Sequence, residues 1–257
     1  MKRLAAIILA AGKGTRMNSD LPKVAHKVAG APMVCWVVDA CREVGCGRIV
    51  LVVGHRQEVI RDLFPEDAPD AAPIEFAEQL EQRGTAHAVN CAQPLLADFD
   101  GDVLVLCGDG PLIRAETLDK LIARHRDASA SLTLATATVD DPTGYGRIVR
   151  DENGRFAAIV EQKNASDAQR RIREVNPSYY CFDAKTLFKA VAAIKPDAKS
   201  GEQYLTDVPD MLQRQGRRVE VIDAVPAEDA LSINTPEQLA EADAILRQRL
   251  AATEARG

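Results

Sequence analysis

Unbroken apolar runs recur along the first half of the chain, at residues 4–10, 49–53 and 103–107. Runs of this length without alternating polar positions are typical of strands that are buried on both faces of a parallel sheet. Apolar residues recur at helical spacing in four other segments, residues 34–44, 85–96, 115–122 and 236–250. The pattern therefore predicts three central strands with helices between them, and a further helix late in the chain.

The order of these elements predicts the fold class. Strand, helix, strand, helix, strand over residues 1–126 implies right-handed crossovers and a Rossmann-like, doubly wound sheet of an α/β protein. After residues 131–138 the chain is richer in turns, with short extended pieces at 157–160 and 179–182. We expect a mixed, mostly parallel sheet whose second part closes over the mouth of the first. Because no Ser/Gly linker or internal repeat occurs, residues 1–257 are interpreted as one domain.

Composition and charge narrow the function classes. Hydrophobic residues make up 46% and charged residues 27% of the 257 positions, which is ordinary for a folded globular protein. The formal net charge of −6 disfavours an extended nucleic-acid or anionic-membrane surface, so any anion site must be local. The first apolar run lacks a convincing cleavage region and no run is long enough to span a membrane, which predicts a cytoplasmic protein. The six cysteines and four histidines have no zinc-site spacing, and buried thiols are the simpler interpretation.

The turn after the first apolar run, LAAGKGTRMNSDLPK, combines flexible backbone with local positive charge. It contains two glycines and three cations, Gly12, Gly14, Lys13, Arg16 and Lys23. The glycines permit positive φ and uncovered amide groups, so the loop can cradle phosphate oxygens at the carboxyl edge of the sheet. Met17 stands where the dinucleotide fingerprint GxGxxG requires glycine, and no GxxxxGK[ST] motif occurs. A plain turn with solvated charges is the alternative, but the clustering of cations favours phosphate binding.

Two later polar residues are candidate magnesium ligands. Asp109 follows the third apolar run, which places a carboxylate at the carboxyl end of a central strand. A single aspartate after a strand is more often a turn or cap residue, so it needs a partner. Asn234 lies between a strand-like stretch and the helix predicted from residue 236, where its carbonyl is either a second oxygen ligand or an ordinary group before a helix start.

Two glutamines precede the helix predicted at residues 85–96. Gln79 and Gln82 lie just before Gly84 and Thr85. An amide side chain offers one donor and one acceptor direction and can read the edge of a pyrimidine base. Surface glutamines are common, however, and on their own these two are interpreted as solvated.

Together these pieces resemble the sugar-phosphate nucleotidyltransferase family, and within it the uridyltransferases that act on N-acetylglucosamine 1-phosphate. The resemblance runs from Leu4 to about Leu250. In chain order, the matching motifs are LAAGKGTRM at 9–17, LPK at 21–23, QLEQRGTAHA at 79–88, GDGPL at 108–112, DDPTGYGR at 140–147, IVEQKNA at 159–165, EVN at 174–176, GEQYLTD at 201–207 and Asn234. Any one of these is weak, but so many matches in order are specific.

The resemblance implies roles for individual residues. Nucleotide binding is implied for Leu9, Ala10, Ala11, Gly12, Gly14, Lys23, Gln79, Gln82, Gly84 and Thr85. Amino-sugar binding is implied for Gly146, Glu161, Asn176, Tyr204 and Thr206. Arg16, Lys23 and Asp109 are implied as catalytic, and Asp109 and Asn234 as ligands of Mg²⁺. Residues 1–126 would then form a nucleotide-binding half, 127–234 a sugar-binding half, and 235–257 a C-terminal helix.

The implied reaction is Mg²⁺-dependent, in-line attack by the phosphate oxygen of N-acetylglucosamine 1-phosphate on the α-phosphorus of UTP. Its products are UDP-N-acetylglucosamine and pyrophosphate, and no nucleic acid, membrane or partner protein is expected. The alternatives are transfer to a glucose or mannose 1-phosphate, and a catalytically silent nucleotide-sugar-binding protein. Cys107 and Gly110 replace a frequent tyrosine and a bulkier residue, which widens the acceptor side. The β-helix with acetyltransferase activity that continues the full-length family is not expected.

Overall fold

A computed structural model describes residues 2–65 and 72–255. The strands are β1 Arg3–Leu9, β2 Lys27–Val28, β3 Ala31–Pro32, β4 Arg48–Val53, β5 Ile74–Glu78, β6 Gly101–Cys107, β7 Leu132–Thr138, β8 Gly146–Arg150, β9 Phe156–Val160, β10 Glu174–Asp183 and β11 Val219–Asp223. The helices are α1 Met33–Glu43, α2 Gln57–Arg61, α3 Thr85–Cys91, α4 Ala115–Asp127, α5 Asp167–Arg170, α6 Ala184–Ala193, α7 Val208–Arg214 and α8 Pro236–Glu254.

One mixed sheet runs through both parts of the chain, in the order β11-β7-β10-β6-β1-β4-β5. Strand β1 is parallel to β4 and β6, β4 is parallel to β5, and β7 is parallel to β11. Strand β10 lies antiparallel between β6 and β7, and β8 extends the sheet from β10 to β9. The predicted doubly wound, mostly parallel α/β sheet is confirmed, whereas the division at residues 126 and 234 stays a prediction.

The three apolar runs form the strands that the pattern predicts, β1, β4 and β6. Alternate residues of β1 and β6 face opposite layers of the core. Ile8 and Leu104 pack on the side of α1 and α4, and Ile7 and Val105 pack on the side of α3 and α6. All four side chains have an exposed fraction of 1% or less, which explains why the runs contain no polar alternation.

One helix and two edge strands depart from the predicted pattern. The helix predicted at residues 85–96 ends as α3 at Cys91, and Gln93–Leu96 is a separate 3₁₀ turn. Pro94 accounts for the break because proline lacks an amide donor and its ring clashes with the preceding turn of an α-helix. The edge strands β5 and β11 were not predicted, since each is only half-buried and carries charged residues instead of an apolar run.

Several expected absences can be compared with the described residues. None of the helices in residues 2–65 and 72–255 combines the length and hydropathy of a membrane span. All six cysteines are free thiols. No three His, Cys, Asp or Glu side chains within the described ranges cluster as a metal site would require.

A buried carboxylate anchors the amino edge of the sheet. The side chain of Asp102, on β6, has no exposed surface and accepts hydrogen bonds from Lys2 Nζ at 2.9 Å and Arg126 Nε at 2.8 Å. His125 Nε2 lies 3.5 Å from the same carboxylate. Burial alone would raise the pKa of Asp102, but the close contact with His125 and the hydrogen bonds from Lys2 and Arg126 outweigh it and hold the pKa well below its usual range.

This network predicts a pH dependence of stability. Because the folded-state pKa of Asp102 lies below the unfolded value of about 3.9, its contribution is complete above that value and is lost as the pH falls below it. Urea unfolding of Asp102→Asn is therefore expected to depend less on pH than unfolding of the wild type between about pH 5 and pH 3. Asp127→Asn, at an exposed position beside Arg126, is the matched control and should follow the wild type. Parallel profiles for wild type and Asp102→Asn would contradict the assignment.

Candidate functional site

The carboxyl ends of β1 and β6 bring two loops together. These strands are parallel neighbours, and Leu9 lies opposite Cys107 at their ends. The amide of Gly108 donates to the carbonyl of Leu9 at 2.9 Å, which ties the start of one loop to the start of the other. The glycine-rich loop and Asp109 therefore emerge at one edge of the sheet, where ligands bind in this architecture.

The two glycines of the first loop serve different purposes. Gly14 has a φ of 65°, and a Cβ there would lie 2.6 Å from Cβ of Lys23, so only glycine allows this close approach. Gly12 does not use the positive φ that glycine permits, because its backbone lies outside the left-handed region. A Cβ at Gly12 would meet nothing within 4 Å, so this position borders open space beside the cavity.

Four predicted site residues meet in one polar cluster above these strand ends. Lys23 Nζ donates to Asp109 Oδ2 and, at 3.0 Å, to Asn234 Oδ1. Arg16 donates to the same Asn234 oxygen at 2.8 Å. The backbone strengthens the link, since the Ile233 amide donates to the Asp109 carbonyl at 3.0 Å. Residues separated by more than 200 positions thus form one cluster of two cations and two side chains whose oxygens can bind a metal ion.

The oxygen donors of this cluster suit a hard cation. Asp109 is 9% exposed, and its Oδ1 is buried without a hydrogen-bond partner among the described residues. A buried carboxylate oxygen normally has a partner, so an unsatisfied one at a strand end requires an explanation. Carboxylate and amide oxygens are preferred ligands of Mg²⁺, which often takes few protein ligands and completes its shell with phosphates and water. The residues present therefore fit a magnesium ion.

A cavity of about 300 Å³ opens beside the cluster. Its wall includes the predicted residues Leu9, Ala11, Gly12, Lys23, Gln79, Gln82, Gly84, Thr85, Asp109 and Tyr204. Ala10, Gly14 and Arg16 lie outside this wall, and Asn234 is connected to it through Lys23. Two larger clefts, of about 480 and 520 Å³, lie at the opposite edge of the sheet. Both are lined by Lys2 and Arg126, which form ion pairs with Asp102.

The glutamines hold the far wall of this cavity. Gln79 is 5% exposed, and its amide donates to the Gly84 carbonyl at 3.0 Å and to Nδ1 of His87 at 3.1 Å. Gln82 donates to the Ala11 carbonyl at 2.8 Å, which joins this wall to the glycine-rich loop. The interpretation of Gln79 as solvated is therefore wrong, whereas Gln82 is exposed and its part in nucleotide binding stays a prediction.

Gly84 fixes the backbone of the same wall. Its φ is 103°, and a Cβ there would lie 2.4 Å from the carbonyl oxygen of Gln203. Any other residue would be strained and would displace the segment that includes Gln203. Thr85 adds a second tie, because its hydroxyl accepts from the Leu205 amide at 2.9 Å. Sequence reasoning missed Gln203, since nothing local indicates this close approach.

Of the predicted sugar residues, Glu161 and Thr206 line a smaller adjoining cavity of about 50 Å³, which shares Leu9, Thr85 and Cys107 with the first. Thr206 donates to Glu161 Oε1 at 2.8 Å in its wall. A Cβ at Gly146 would lie 3.8 Å from Cβ of Asn176 and 3.9 Å from Glu161 Oε1, which brings these residues together. Tyr204 instead faces the larger cavity and hydrogen-bonds with Glu202 and Ser200.

Cys107 and Gly110 lie between these groups. Burial and the nearby Asp109 carboxylate raise the pKa of the Cys107 thiol to about 12, so the thiol is uncharged at neutral pH. A Cβ at Gly110 would come no nearer than 4.0 Å to the Cys107 carbonyl and the Tyr179 hydroxyl. The site thus has room beside Asp109, and the wider acceptor side stays a prediction.

Comparison with known proteins agrees with this geometry. A sequence profile of the family described as nucleotidyl transferase matches residues 5–226. The bifunctional protein GlmU of Geobacter metallireducens is 49% identical over 250 residues, which cover 97% of this chain and 52% of that protein. The proteins of that name from Pelobacter propionicus and Brevibacillus brevis are 46% and 45% identical over 250 residues, covering 97% of this chain and 54% and 53% of their own lengths.

The chain spans about half the length of the curated relatives it matches. Within that half the alignment is nearly continuous, and the profile includes the glycine-rich loop, both glutamines, Asp109 and the predicted sugar residues. The resemblance inferred from the ordered motifs is thereby confirmed. With a profile over most of its length and relatives aligned along almost all of it, the chain belongs to the nucleotidyl transferase family.

Proposed function

We propose that the protein transfers a uridylyl group from UTP to N-acetylglucosamine 1-phosphate and releases pyrophosphate. The observation that carries this proposal is the polar cluster in which Lys23 contacts both Asp109 and Asn234 beside a cavity walled by two glutamines. A cationic group and two hard oxygen donors beside a base-sized cavity suit phosphoryl chemistry on a nucleotide. The ordered motifs support uridine as the base and an amino sugar as the acceptor.

The reaction needs charge and positioning more than proton transfer. The attacking phosphate oxygen of a sugar 1-phosphate is already anionic near neutral pH, so no general base is required. The barrier lies in bringing two anions into line, and cations fixed in a partly dry site lower it. Lys23 has only 16% of its side chain exposed, so its interaction with a phosphate would be weakly screened by water.

Asp109 and Asn234 are the proposed ligands of Mg²⁺. The ion would supply positive charge between the phosphates of the two reactants. Lys23 already offsets the charge of Asp109, and Arg16 adds a second cation on the Asn234 side. These residues would orient the triphosphate while the ion is bound.

The remaining residues of the two cavities would bind the uracil base of UTP and the amino sugar of the acceptor. Gln79, Gln82, Gly84 and Thr85 would bind the uracil end, while residues 9–12 would lie along the nucleotide. Gln82 is central because its bond to the Ala11 carbonyl joins these two walls. Gly146, Glu161, Asn176 and Thr206 would bind the amino sugar, with Tyr204 at the boundary between the cavities.

Pyrophosphate release with defined substrate pairs tests the proposed function. With Mg²⁺ present, UTP and N-acetylglucosamine 1-phosphate are expected to give the highest turnover among the four common NTPs and a panel of sugar 1-phosphates. Chelation by EDTA should abolish release because the two anions would lose their shared cation. Preference for GTP with mannose 1-phosphate would contradict the proposed substrates. No release with any pair would instead support a nucleotide-sugar-binding protein.

Removal of the charge of Asp109 or of Lys23 should lower turnover without unfolding the protein. Asp109→Asn and Lys23→Ala are each expected to reduce kcat by on the order of 10² or more, since the first weakens the proposed Mg²⁺ site and the second removes a cation beside the phosphates. Asp119→Asn and Lys120→Ala, at exposed positions of α4, match these charge changes away from the site. Steady-state kinetics beside circular dichroism separates the effects. Folded Asp109 or Lys23 variants with near-normal kcat would remove the residue from the mechanism.

Loss of the wall contact from Gln82 should act mainly on nucleotide binding. Gln82→Ala is expected to raise the KM for UTP about tenfold, because it deletes a hydrogen bond to the glycine-rich loop and a polar group at the base. The KM for the sugar phosphate should change little. Gln215→Ala, at an exposed position after α7, is the control. An equal rise in both KM values would contradict a specific role at the uracil end.

A further inference from the structure

The loops that carry Asp109 and Asn234 converge on one buried carboxylate. The side chain of Asp229, in the turn before Asn234, has no exposed surface. Arg114, which precedes α4, lies with Nε 2.8 Å from Asp229 Oδ2 and donates from Nη2 to Oδ1 at 3.1 Å. Arg249, near the end of α8, donates to the same carboxylate. A buried charge held by two guanidinium groups is costly to disrupt, because removing one partner leaves the rest unpaired.

Arg249 reaches the other loop as well. Its Nη1 donates to the carbonyl of Leu112 at 2.9 Å, on the segment that leads away from Asp109. Its Nη2 donates to Glu228 Oε1 at 2.6 Å, beside Asp229. One planar side chain thus bonds to both segments in different directions, which the single ammonium of lysine cannot reproduce.

Apolar packing closes the same arrangement. Leu112 and Ile233 have no exposed surface and pack in one cluster with Ala242 and Leu246 of α8. Helix α8 starts directly after Asn234 and Thr235, and Arg249 lies near its other end. Helix α8 therefore begins beside the loop of Asn234, and its later residues contact the loop that follows Asp109.

We propose that Arg249 and Arg114 are positioning residues that, through Asp229, hold the oxygens of Asp109 and Asn234 in the arrangement that binds a divalent cation. This inference rests on the proposed function only in taking that cation as part of the reaction. Neither arginine bonds to Asp109, Asn234 or Lys23 in the structure; each acts on the segments that carry them. Residues that orient metal ligands commonly change metal affinity about 10- to 100-fold when they are replaced.

The first test is metal binding, which does not depend on turnover. Mn²⁺ is titrated into the full chain, alone and with UTP, and free Mn²⁺ is measured by electron paramagnetic resonance. Arg249→Gln is expected to raise the dissociation constant about tenfold. Arg247→Gln is the matched control on the same helix, because Arg247 is exposed and, within residues 2–65 and 72–255, pairs with Asp243 alone. It should bind Mn²⁺ like the wild type.

The second test separates positioning from simple loss of structure. For Arg249→Gln, the Mg²⁺ concentration at half-maximal turnover should rise about tenfold, while the KM for UTP at saturating Mg²⁺ stays within about twofold. The reason is that Gln79 and Gln82, at the proposed uracil end, share no hydrogen bond with Arg249 among the described residues. Arg249→Lys keeps the charge and should give an intermediate Mn²⁺ affinity, which also provides a folded variant if Arg249→Gln does not fold.

The outcomes distinguish this inference from the proposed function. Equal Mn²⁺ affinity in wild type, Arg249→Gln and Arg249→Lys would overturn the positioning role while leaving the reaction in place. A fall in bound Mn²⁺ that only matches the unfolded fraction seen by circular dichroism, with an unchanged dissociation constant, would also overturn it. Failure of the wild type to release pyrophosphate from any substrate pair would overturn the proposed function, whereas weaker Mn²⁺ binding by Arg249→Gln would still support the positioning role.

Discussion

The contact of Lys23 with Asp109 and Asn234 is the interaction on which the site depends. Asp109 follows the end of β6, a strand in the middle of the sheet, and is only 9% exposed. A buried carboxylate is costly unless a cation or hydrogen-bond donors compensate it. Lys23 supplies that charge from the glycine-rich loop, and this requires Gly14, because a Cβ there would collide with the lysine. The glycine-rich loop therefore supplies the positive charge that compensates the carboxylate following β6.

Strand β10 explains how a second half of the chain reaches this edge. It lies antiparallel between β6 and β7, so its residues enter the sheet beside the strand that carries Asp109. Its register shifts between Val175 and Tyr179, and Ser178 within that interval has a φ of 67°. The irregularity lets Asn176 pair with Gly146 of β8 and donate to the Tyr180 hydroxyl at 2.7 Å. Two of the predicted sugar residues, Asn176 and Gly146, thus lie beside a break in the ladder next to the central strands.

The sequence predicted the central fold because burial on both faces leaves a clear apolar signal in β1, β4 and β6. The ordered motifs also implied roles for the glycine-rich loop, the two glutamines and Asp109, and these roles stay predictions. The sequence could not predict that Lys23 contacts Asp109 or that Arg249 contacts Asp229, because these pairs form only when distant segments pack. Of the two loop glycines only Gly14 has positive φ, because glycine permits that conformation but does not require it.

The two edge strands that escaped prediction have a consequence for association between chains. Strand β5 carries Glu75, which pairs with Arg48 at 2.9 Å, and Glu78, which pairs with Arg61 at 3.0 Å. On the opposite edge, Glu220 of β11 pairs with both Arg124 and Arg218. Charged side chains along a sheet edge disfavour the addition of a strand from another molecule, which is a common route to aggregation. The charged residues that interrupt an apolar run in β5 and β11 therefore also disfavour strand addition at these two edges of the sheet.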